Sequence, residues 1–254
     1  MPGKIQSIER AAAILRLLSG RSRRLGVVDL AGELGLPKGT VHGLLRTLQA
    51  VGFVEQDAES GKYQLGPALL HMGSSYLDGN ELRTRALNWS DSLAVRTREA
   101  VRIGTLHESR VLIVHHVFRP DDSLQTLDVG SLLPAHATAL GKTLLAHHPY
   151  VAEEMSKPGL PAFTDATIVD PARLERELER IRQRGWAGEI GELTPGQVSI
   201  AAPVIDRTGM TVGAMAIFGP PERLLAARQP RGELVAHVRE AARAVSRELG
   251  AIPW

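Results

Sequence analysis

The stretch from Gly35 to Gly66, "GLPKGTVHGLLRTLQAVGFVEQDAESGKYQLG", constrains the fold most, because its first half has two incompatible faces. Apolar residues recur there at i, i+3, i+4 and i+7, the spacing of a helix packed along one side. They are Val41, Leu44, Leu45 and Leu48. A polar stripe lies on the opposite side and consists of Lys38, His42, Arg46 and Gln49. The pattern predicts a helix that begins at Pro37, ends before Gly52 and offers its polar stripe to a partner.

The flanking segments place this helix in a recognisable order. Upstream, a helix is predicted from Ser7 to Ser19 with Ser7 as its cap, and a shorter one from Val28 to Leu34 is stopped by Gly35. The loop "GRSRRLG" separates them. Downstream, "FVEQD" and "KYQL" flank the turn-rich "AESG" and predict a hairpin. Helix, helix, turn, helix, hairpin is the order of a winged helix-turn-helix.

Charge and glycine placement favour a nucleic-acid partner for this module. Residues 1–66 carry nine Lys or Arg against six Asp or Glu, a net charge of +3, whereas the remainder has a net charge of −1. Such an excess suits a phosphate backbone. Gly39 and Gly43 each cost about 1 kcal/mol relative to alanine inside a helix, so a close approach to a base edge or phosphate is one explanation. From this helix alone, a solvated face on an ordinary bundle remains an alternative.

The length and the later pattern indicate a second domain. A chain of 254 residues suits two domains, each able to bury its own core. We predict a winged helix-turn-helix domain at 1–66, a linker helix at 67–80 and an effector-binding domain at 81–254. In the last, hairpins are predicted around "HESR" and "DRTG", and a helix capped by Asp170 is predicted to begin at Pro171 and to end before Gly185. Strand pairs flanked by helices predict an α+β fold with a sheet backed by helices.

Several classes of protein are disfavoured by what the sequence lacks. There is no cysteine, hence no disulfide or thiolate site. Neither a signal peptide nor a stretch of about 18 apolar residues occurs, so we expect a cytoplasmic protein without a membrane partner. The "GKT" at Gly141 is similar to the end of a nucleotide-binding loop, but that loop requires a glycine five residues earlier, and this chain has His136 there. No HExxH, GxSxG or paired-carboxylate pattern appears. We expect no enzyme activity and no cofactor.

Histidines are concentrated between His107 and His148, which raises the question of a metal site. His115 and His116 are adjacent on a predicted strand, so their side chains point to opposite faces and do not readily share an ion. A site built from His107 and one of this pair, or from His136, is less favoured than ordinary structural histidines. We therefore predict no metal site.

Five segments carry a resemblance to the IclR family of bacterial transcriptional regulators that runs nearly end to end. They are "QSIERAAAILRLL", "LAGELGLPKGTVHGLLRTLQAVGFVEQDAESGKYQLG", "HATALGKTLLA", "RQRGWA" and "IAAPVIDRTGMTVGAMAIFGP". The resemblance implies double-stranded DNA as partner, through a palindromic operator, and a homodimer that can pair again into a tetramer. It also implies that a GAF-like C-terminal domain senses a small metabolite.

The resemblance also implies which residues contact DNA. The candidates are Lys38, Gly39, Thr40, His42, Gly43 and Arg46 on the helix, with Lys62 and Tyr63 on the hairpin. On the hairpin, the basic and the aromatic side chain are expected to reach a phosphate and a minor groove. Many members of the family have serine and arginine where this chain has Gly39 and Gly43. This departure leaves the base preference open, because a bidentate arginine is the usual guanine reader.

For the effector, the resemblance implies two groups of residues. Members that sense organic acids use an aspartate, a cysteine and two serines, and the matching positions are Glu189, Ser199, Ala216 and Phe218. The methyl and phenyl groups at the last two disfavour a glyoxylate-like ligand. The second group is the loop and helix start at His136, Ala137, Gly141 and Lys142, where a small polyol or its phosphate would be cradled and Lys142 would supply charge.

Two further segments, "LIVHHVFRPDDS" and "RAVSRELGA", resemble actinobacterial family members that regulate glycerol genes. This narrower resemblance implies a repressor of glycerol catabolism genes with glycerol or glycerol 3-phosphate as effector. Two alternatives stay open. One is a regulator that senses an aromatic or other organic acid, which Ala216 and Phe218 would tolerate, and the other is a metabolite-binding enzyme with a helical assembly module.

Overall fold

The computed structural model describes residues 5–20, 24–121 and 123–251. The chain divides into two compact units, Met1–Gly79 and Asn80–Trp254. The loop predicted at "GRSRRLG" lies partly outside the described residues, since only Gly20 and residues 24–26 of it are described.

The first unit has the predicted order of elements. Its helices and strands are α1 (Gln6–Leu18), α2 (Val27–Leu34), α3 (Lys38–Ala50), β1 (Val54–Gln56), β2 (Tyr63–Leu65) and α4 (Pro67–Asp78). Strands β1 and β2 pair antiparallel, with Val54 opposite Leu65. One local prediction was wrong: Ser7 does not cap α1, because the helix begins at Gln6 and its N-cap position is Ile5, which makes no side-chain capping bond.

The apolar stripe of α3 builds the core of this unit. Val41, Leu45 and Leu48 are buried together with residues of α1, α2 and the hairpin. Gly35 adopts the left-handed conformation, with φ of 61°, that ends α2. Pro37 follows as the N-cap of α3, so the turn between the two helices is set by these residues. The helix can bury only one stripe, and its polar stripe is left facing solvent.

The second unit contains the remaining elements. They are α5 (Glu81–Thr97), β3 (Ala100–His107), β4 (Arg110–Val117), β5 (Leu132–Pro134), α6 (Ala139–Ala146), α7 (Pro149–Ser156), α8 (Pro171–Arg184), β6 (Ala187–Ile190), β7 (Val198–Ile205), β8 (Thr211–Gly219), α9 (Pro221–Leu224), β9 (Leu225–Ala226), β10 (Gln229–Pro230) and α10 (Gly232–Glu248). The two predicted hairpins are β3–β4 and β7–β8, and both pair antiparallel.

A six-stranded antiparallel sheet organises this unit, in the order β5-β4-β3-β8-β7-β6. Helices α6 and α8 pack on one face, and α5 and α10 pack together on the other. Helix α8 has the predicted ends, since the Asp170 side chain accepts a hydrogen bond from the Ala172 N–H and Gly185 ends the helix with φ of 74°. The α+β fold with a sheet backed by helices is confirmed. None of the described helices is long and apolar enough to cross a membrane.

Candidate DNA-binding and effector sites

The polar stripe of α3 is accessible and its donors are unoccupied. Lys38, His42 and Arg46 are exposed, as are Gly39 and Gly43, while Thr40 is half-buried. Neither Lys38, His42 nor Arg46 forms a hydrogen bond or ion pair through its side chain with any residue that the structure describes. A set of cationic and neutral donors without acidic neighbours is ready to contact phosphates and base edges.

The two glycines of the stripe are not explained by packing within the unit. A Cβ atom added to Gly39 or Gly43 would meet no atom within 4 Å in the described part of the chain. Alanine would therefore fit at both positions and would favour the helix. Glycine at these positions is consistent with a close approach by something outside the chain, which a side chain would obstruct.

We expect Gly43→Ala to stabilise the isolated protein by about 1 kcal/mol, since alanine is the better helix former. The same change should weaken binding to operator DNA, because the new methyl group occupies the space of the approaching duplex. Urea unfolding and fluorescence anisotropy with labelled operator measure the two effects. Gly32→Ala in α2 is a matched control, because Gly32 is also an exposed helical glycine with no atom within 4 Å of an added Cβ. Operator affinity of Gly43→Ala equal to that of the control would remove this face from close contact.

The hairpin carries one of its two predicted contact residues on the surface. Lys62 is exposed, but Tyr63 is only 3% exposed and packs in the core with α1, α2 and α3. The backbone of Tyr63 exchanges two hydrogen bonds with Leu25, with N···O distances of 3.1 and 2.8 Å. The prediction that Tyr63 reaches a minor groove was therefore wrong. Side chains alternate along a strand, so an exposed Lys62 places its neighbour on the core face.

Arg24 is a surface cation that lies beside the hairpin, a position that the sequence did not indicate. Its Nε donates to Gln64 Oε1 at 2.8 Å, and an Nη donates to Asp57 Oδ2 at 3.0 Å. Arg24 and Lys62 line the same surface depression. In sequence Arg24 stands in a loop before α2, and only the bridge between Leu25 and Tyr63 brings it to the hairpin.

In the second unit, the strand register brings four predicted effector residues together, here called the sheet-end group: Glu189, Ser199, Ala216 and Phe218. Ser199 pairs with both Glu189 and Phe218, so these three form one row across β6, β7 and β8. Ala216 is two residues along β8 and therefore lies on the same face in the next row. The four positions carried over from the family thus share one surface of the sheet.

Within the sheet-end group, the polar atoms are already partnered. The Ser199 hydroxyl donates to Glu189 Oε2 at 2.9 Å. Glu189 Oε1 accepts from the backbone N–H groups of Glu192 and Leu193 at 2.6 and 3.4 Å. Glu189 is buried, and it anchors the loop that follows β6.

Lys142 forms a buried ion pair beside this group. Its Nζ contacts Glu192 Oε1, and Lys142 is 1% exposed. The other oxygen of the Glu192 carboxylate is buried and has no hydrogen-bond partner among the described residues. Burial raises the pKa of Glu192 and of Glu189, because desolvation disfavours a carboxylate. A raised folded-state pKa means that the contribution of each group to stability decreases as pH rises through that value.

The three other predicted residues around α6 have structural partners. His136 Nε2 lies 2.9 Å from the Pro161 carbonyl oxygen, and its ring is 5.7 Å from that of Phe163. Ala137 is fully buried. At Gly141, an added Cβ would lie 2.2 Å from the Ala135 carbonyl oxygen, and the N–H donates to Thr138 Oγ1 at 3.1 Å. Gly141 therefore permits a close helix–loop contact, and the prediction that its backbone cradles a ligand was wrong.

A cavity of about 400 Å³ reaches the ion pair from solvent and is here called the α8 cavity. Its lining includes Lys142, Glu192 and three arginines of α8: Arg173, Arg180 and Arg184. The sheet-end group is absent from this lining, as are His136, Ala137 and Gly141. Of the predicted effector residues, Lys142 alone lines the α8 cavity. Lys142 is nevertheless close enough to Glu189 for its charge to oppose the rise in the pKa of Glu189 that burial causes.

Phe218 lies in polar surroundings that the sequence did not indicate. The Arg102 guanidinium carbon is 3.5 Å from the centre of the Phe218 ring, and Arg102 Nε donates to Asp128 Oδ2 at 2.8 Å. His116 is buried against the same ring, and burial, followed by the charge of Arg102, lowers its pKa to about 4. In sequence, Arg102 is a lone cation within an apolar strand, and only the register places it beside Phe218.

Metal ligation has no support in the geometry. Within residues 5–20, 24–121 and 123–251, no group of three His, Asp or Glu side chains is placed to hold a metal ion. His115 is half-buried and feels the charges of Arg83 and Asp91, whereas the ring of His116 accepts a hydrogen bond from the Asp128 N–H.

Comparison with known proteins decides the family. Residues 7–58 match the IclR helix-turn-helix domain, and residues 74–247 match the bacterial transcriptional regulator IclR C-terminal domain. The chain belongs to the IclR family. It is 55% identical over 251 residues to the "Glycerol operon regulatory protein" of Streptomyces coelicolor and 53% identical to that of Streptomyces griseus, with 99% of each chain covered.

A solved structure shares the fold of the whole chain. It is an IclR homologue from Microbacterium hydrocarbonoxydans complexed with 4-hydroxybenzoate, with a TM-score of 0.81 and 25% identity, covering 96% of this chain and 99% of that one. The chain is thus an IclR-type DNA-binding transcriptional regulator with an effector-binding domain, and its relatives are regulators, not enzymes. Its partners are DNA and a small-molecule effector.

Proposed function

We propose that this regulator is a repressor of glycerol catabolism genes and that glycerol or glycerol 3-phosphate releases it from its operator. The observation that supports the proposal is the identity of 55% and 53%, over 99% of the chain, to two proteins named for a glycerol operon. We also propose a cytoplasmic location, because a bacterial regulator binds its operator on DNA in the cytoplasm.

The chemistry around Lys142 suits a small polyol or its phosphate. A carboxylate accepts hydrogen bonds from hydroxyl groups, and a lysine ammonium donates to a phosphate. Glu192 has a buried oxygen without a partner among the described residues, and its other oxygen pairs with Lys142. A triol would satisfy the open acceptor, and a phosphate would contact Lys142 from the α8 cavity. We propose that effector binding occurs here, with Glu189 and Ser199 holding the adjoining loop.

A second candidate effector is an aromatic acid. Ala216 and Phe218 make the sheet-end group more apolar than a pair of serines would, and the Arg102 guanidinium, which is already paired with Asp128, lies over the Phe218 ring. The homologue complexed with 4-hydroxybenzoate has the same fold, which supports this candidate by analogy only.

Thermal denaturation of the full chain with a ligand panel separates the candidates. At a concentration 100 times its Kd, a ligand that binds only the folded state stabilises by about 2.7 kcal/mol, which raises Tm by about 5–10 °C for a domain of this size. We expect this shift with glycerol 3-phosphate or glycerol, together with release of labelled operator. A shift with 4-hydroxybenzoate alone would overturn the glycerol proposal in favour of the aromatic acid.

We further propose that a homodimer reads a palindromic operator and that two dimers can associate. Half-sites about 34 Å apart accept only one placement of the two α3 helices, so an effector that prefers another arrangement of the dimer lowers operator affinity. The helix α4, in the predicted linker, is the proposed route of coupling. Equal effector affinity with and without operator would contradict this scheme.

A further inference from the structure

A second cavity in the Asn80–Trp254 unit lies where β7 continues past its neighbour. Strand β6 pairs with β7 only as far as Ala201, so the edge of β7 at Pro203 and Ile205 has no strand beside it. The cavity at this edge has a volume of about 250 Å³ and is here called the arginine cavity. Its walls come from the end of α6, the end of α8 and the outer side of α10, each contributing basic side chains.

The lining of the arginine cavity has one sign of charge. It contains Arg182, Arg184, Arg239, Arg243 and His147, and no Asp or Glu among the residues that the structure describes. Arginine keeps its charge at any pH at which the protein is folded. Arg182 and Arg184 are paired with Glu175 and Glu177 outside the lining, whereas Arg239 and Arg243 have no counter-ion among the described residues, and an anion bound between these two would relieve their repulsion.

Two of these arginines have no internal partner. Arg239 and Arg243 form no hydrogen bond or ion pair through their side chains with any part of the chain that the structure describes. The neighbouring acid on α10, Glu240, is taken by Arg96, whose Nη lies 2.9 Å from Glu240 Oε2. The guanidinium of Arg239 lies over the end of α8, since a Cβ added to Gly185 would be 3.7 Å from it.

The other two arginines are held in place by the protein. Arg182 donates to the Ala146 carbonyl oxygen at 3.2 Å and to Glu175 at 2.8 Å. Arg184 donates to the Trp186 carbonyl oxygen at 2.7 Å and lies over the Trp186 ring. These contacts fix part of the cavity wall without any ligand, so the site is largely preformed.

His147 adds an unused donor or acceptor. Its Nε2 is buried and has no hydrogen-bond partner among the described residues. Burial, then the charges of His148 and Arg182, lowers the pKa of His147. Near neutral pH the ring is therefore uncharged, and an anion beside it would favour its protonation.

We propose that the arginine cavity is a binding site for a small dianion, with Arg239 and Arg243 as its principal ligands and His147 as an accessory donor. The volume is below the usual range for drug-sized ligands and suits a compact phosphate ester or dicarboxylate. The arginine cavity shares Arg184 with the α8 cavity, but Arg239, Arg243 and His147 line only the arginine cavity, so the proposed site has its own principal ligands. It therefore stands independently of the glycerol proposal.

The test measures saturable binding of inorganic phosphate and of succinate to the full chain, at constant ionic strength kept with chloride. We expect at least one of the two to bind, and the one that binds identifies the phosphoryl or the carboxylate class. Arg243→Gln should weaken that binding about tenfold or more, because a charge-assisted contact is lost. Arg247→Gln is the control, since Arg247 is one turn further on α10 and outside the cavity lining; it should change affinity less than twofold.

The outcomes separate a binding site from a structural role. Arg239 over the end of α8 would stabilise that helix even without a ligand. If Arg239→Gln lowers stability equally with and without phosphate or succinate, and neither anion binds saturably, the proposal is overturned. Equal anion affinity in wild type, Arg243→Gln and Arg247→Gln overturns it as well.

A pH profile tests the part assigned to His147. Sulfate keeps two negative charges across the range, so it serves as the probe. We expect sulfate affinity to increase as pH falls below about 7, because burial lowers the pKa of His147 and a bound anion favours its protonation. His147→Gln should flatten this profile. An unchanged profile in His147→Gln would remove His147 from the site.

Discussion

Lys142→Met should lower the free energy of unfolding by about 3–5 kcal/mol, because it leaves the Glu192 carboxylate buried without its counter-ion. Lys142 is 1% exposed and Glu192 is 8% exposed, so only water within the α8 cavity is left to solvate the stranded carboxylate. Chemical denaturation in urea measures the change. The loss should be smaller at acidic pH, since the stranded carboxyl group can then take up a proton.

Two comparisons isolate the buried pair. Lys157→Met removes an exposed ion pair with Glu154, whose side chains are 56% and 45% exposed, and should cost less than about 1 kcal/mol. The double variant Lys142→Met with Glu192→Leu should recover part of the stability, because both charges are then gone. A loss below about 1 kcal/mol for Lys142→Met alone would mean that the pair is solvated in solution.

Arg46→Ala should weaken operator binding strongly while leaving the fold intact. Each lost base or phosphate contact costs about 1–3 kcal/mol, roughly 5- to 150-fold in affinity, and a dimer would lose two. Arg46 is exposed and has no side-chain partner among the described residues, so its removal disturbs no internal contact. Fluorescence anisotropy at fixed salt measures the affinity, and circular dichroism confirms the fold.

Arg16→Ala is the control for charge. Arg16 is an exposed residue of α1 in the same unit, so its loss changes the net charge equally without touching α3. If both variants bind operator alike, α3 does not enter the groove and the unit acts through its overall charge. If only Arg46→Ala is weak, and the slope of affinity against salt becomes shallower, Arg46 contacts a phosphate.

The DNA-binding unit could be predicted from sequence because its contacts are local. The stripe of Val41, Leu45 and Leu48 needs only the helical period to define a buried face, and the opposite face is exposed by geometry. The prediction for Tyr63 was wrong because side chains alternate along a strand, and Tyr63 takes the core-facing position next to the exposed Lys62. Tyr63 and Leu65 are alternate residues of this three-residue strand and both pack toward the core, where an aromatic ring gains more from burial than from solvent.

The effector region was predicted less well, since its residues come from distant parts of the chain. Family resemblance assigned Glu189, Ser199, Ala216 and Phe218 to the effector pocket, and only the strand register shows that these four positions share one face of the sheet. No spacing in the sequence indicates that Lys142 pairs with Glu192, that Arg102 covers Phe218, or that Gly141 meets Ala135. Each of these contacts depends on how strands pair and where helices cross the sheet.

By itself, the sequence determined the order of elements, the two-faced helix α3 and the membership of a regulator family. These depend on periodicities of 3.6 and 2 residues and on turn residues, which act over short distances along the chain. Tertiary structure alone decided which charges are buried, which arginines converge on β7 beyond the end of β6, and which predicted residues are packing elements. Burial and charge pairing depend on distances in space between residues far apart in sequence, and a one-dimensional pattern carries no such distances.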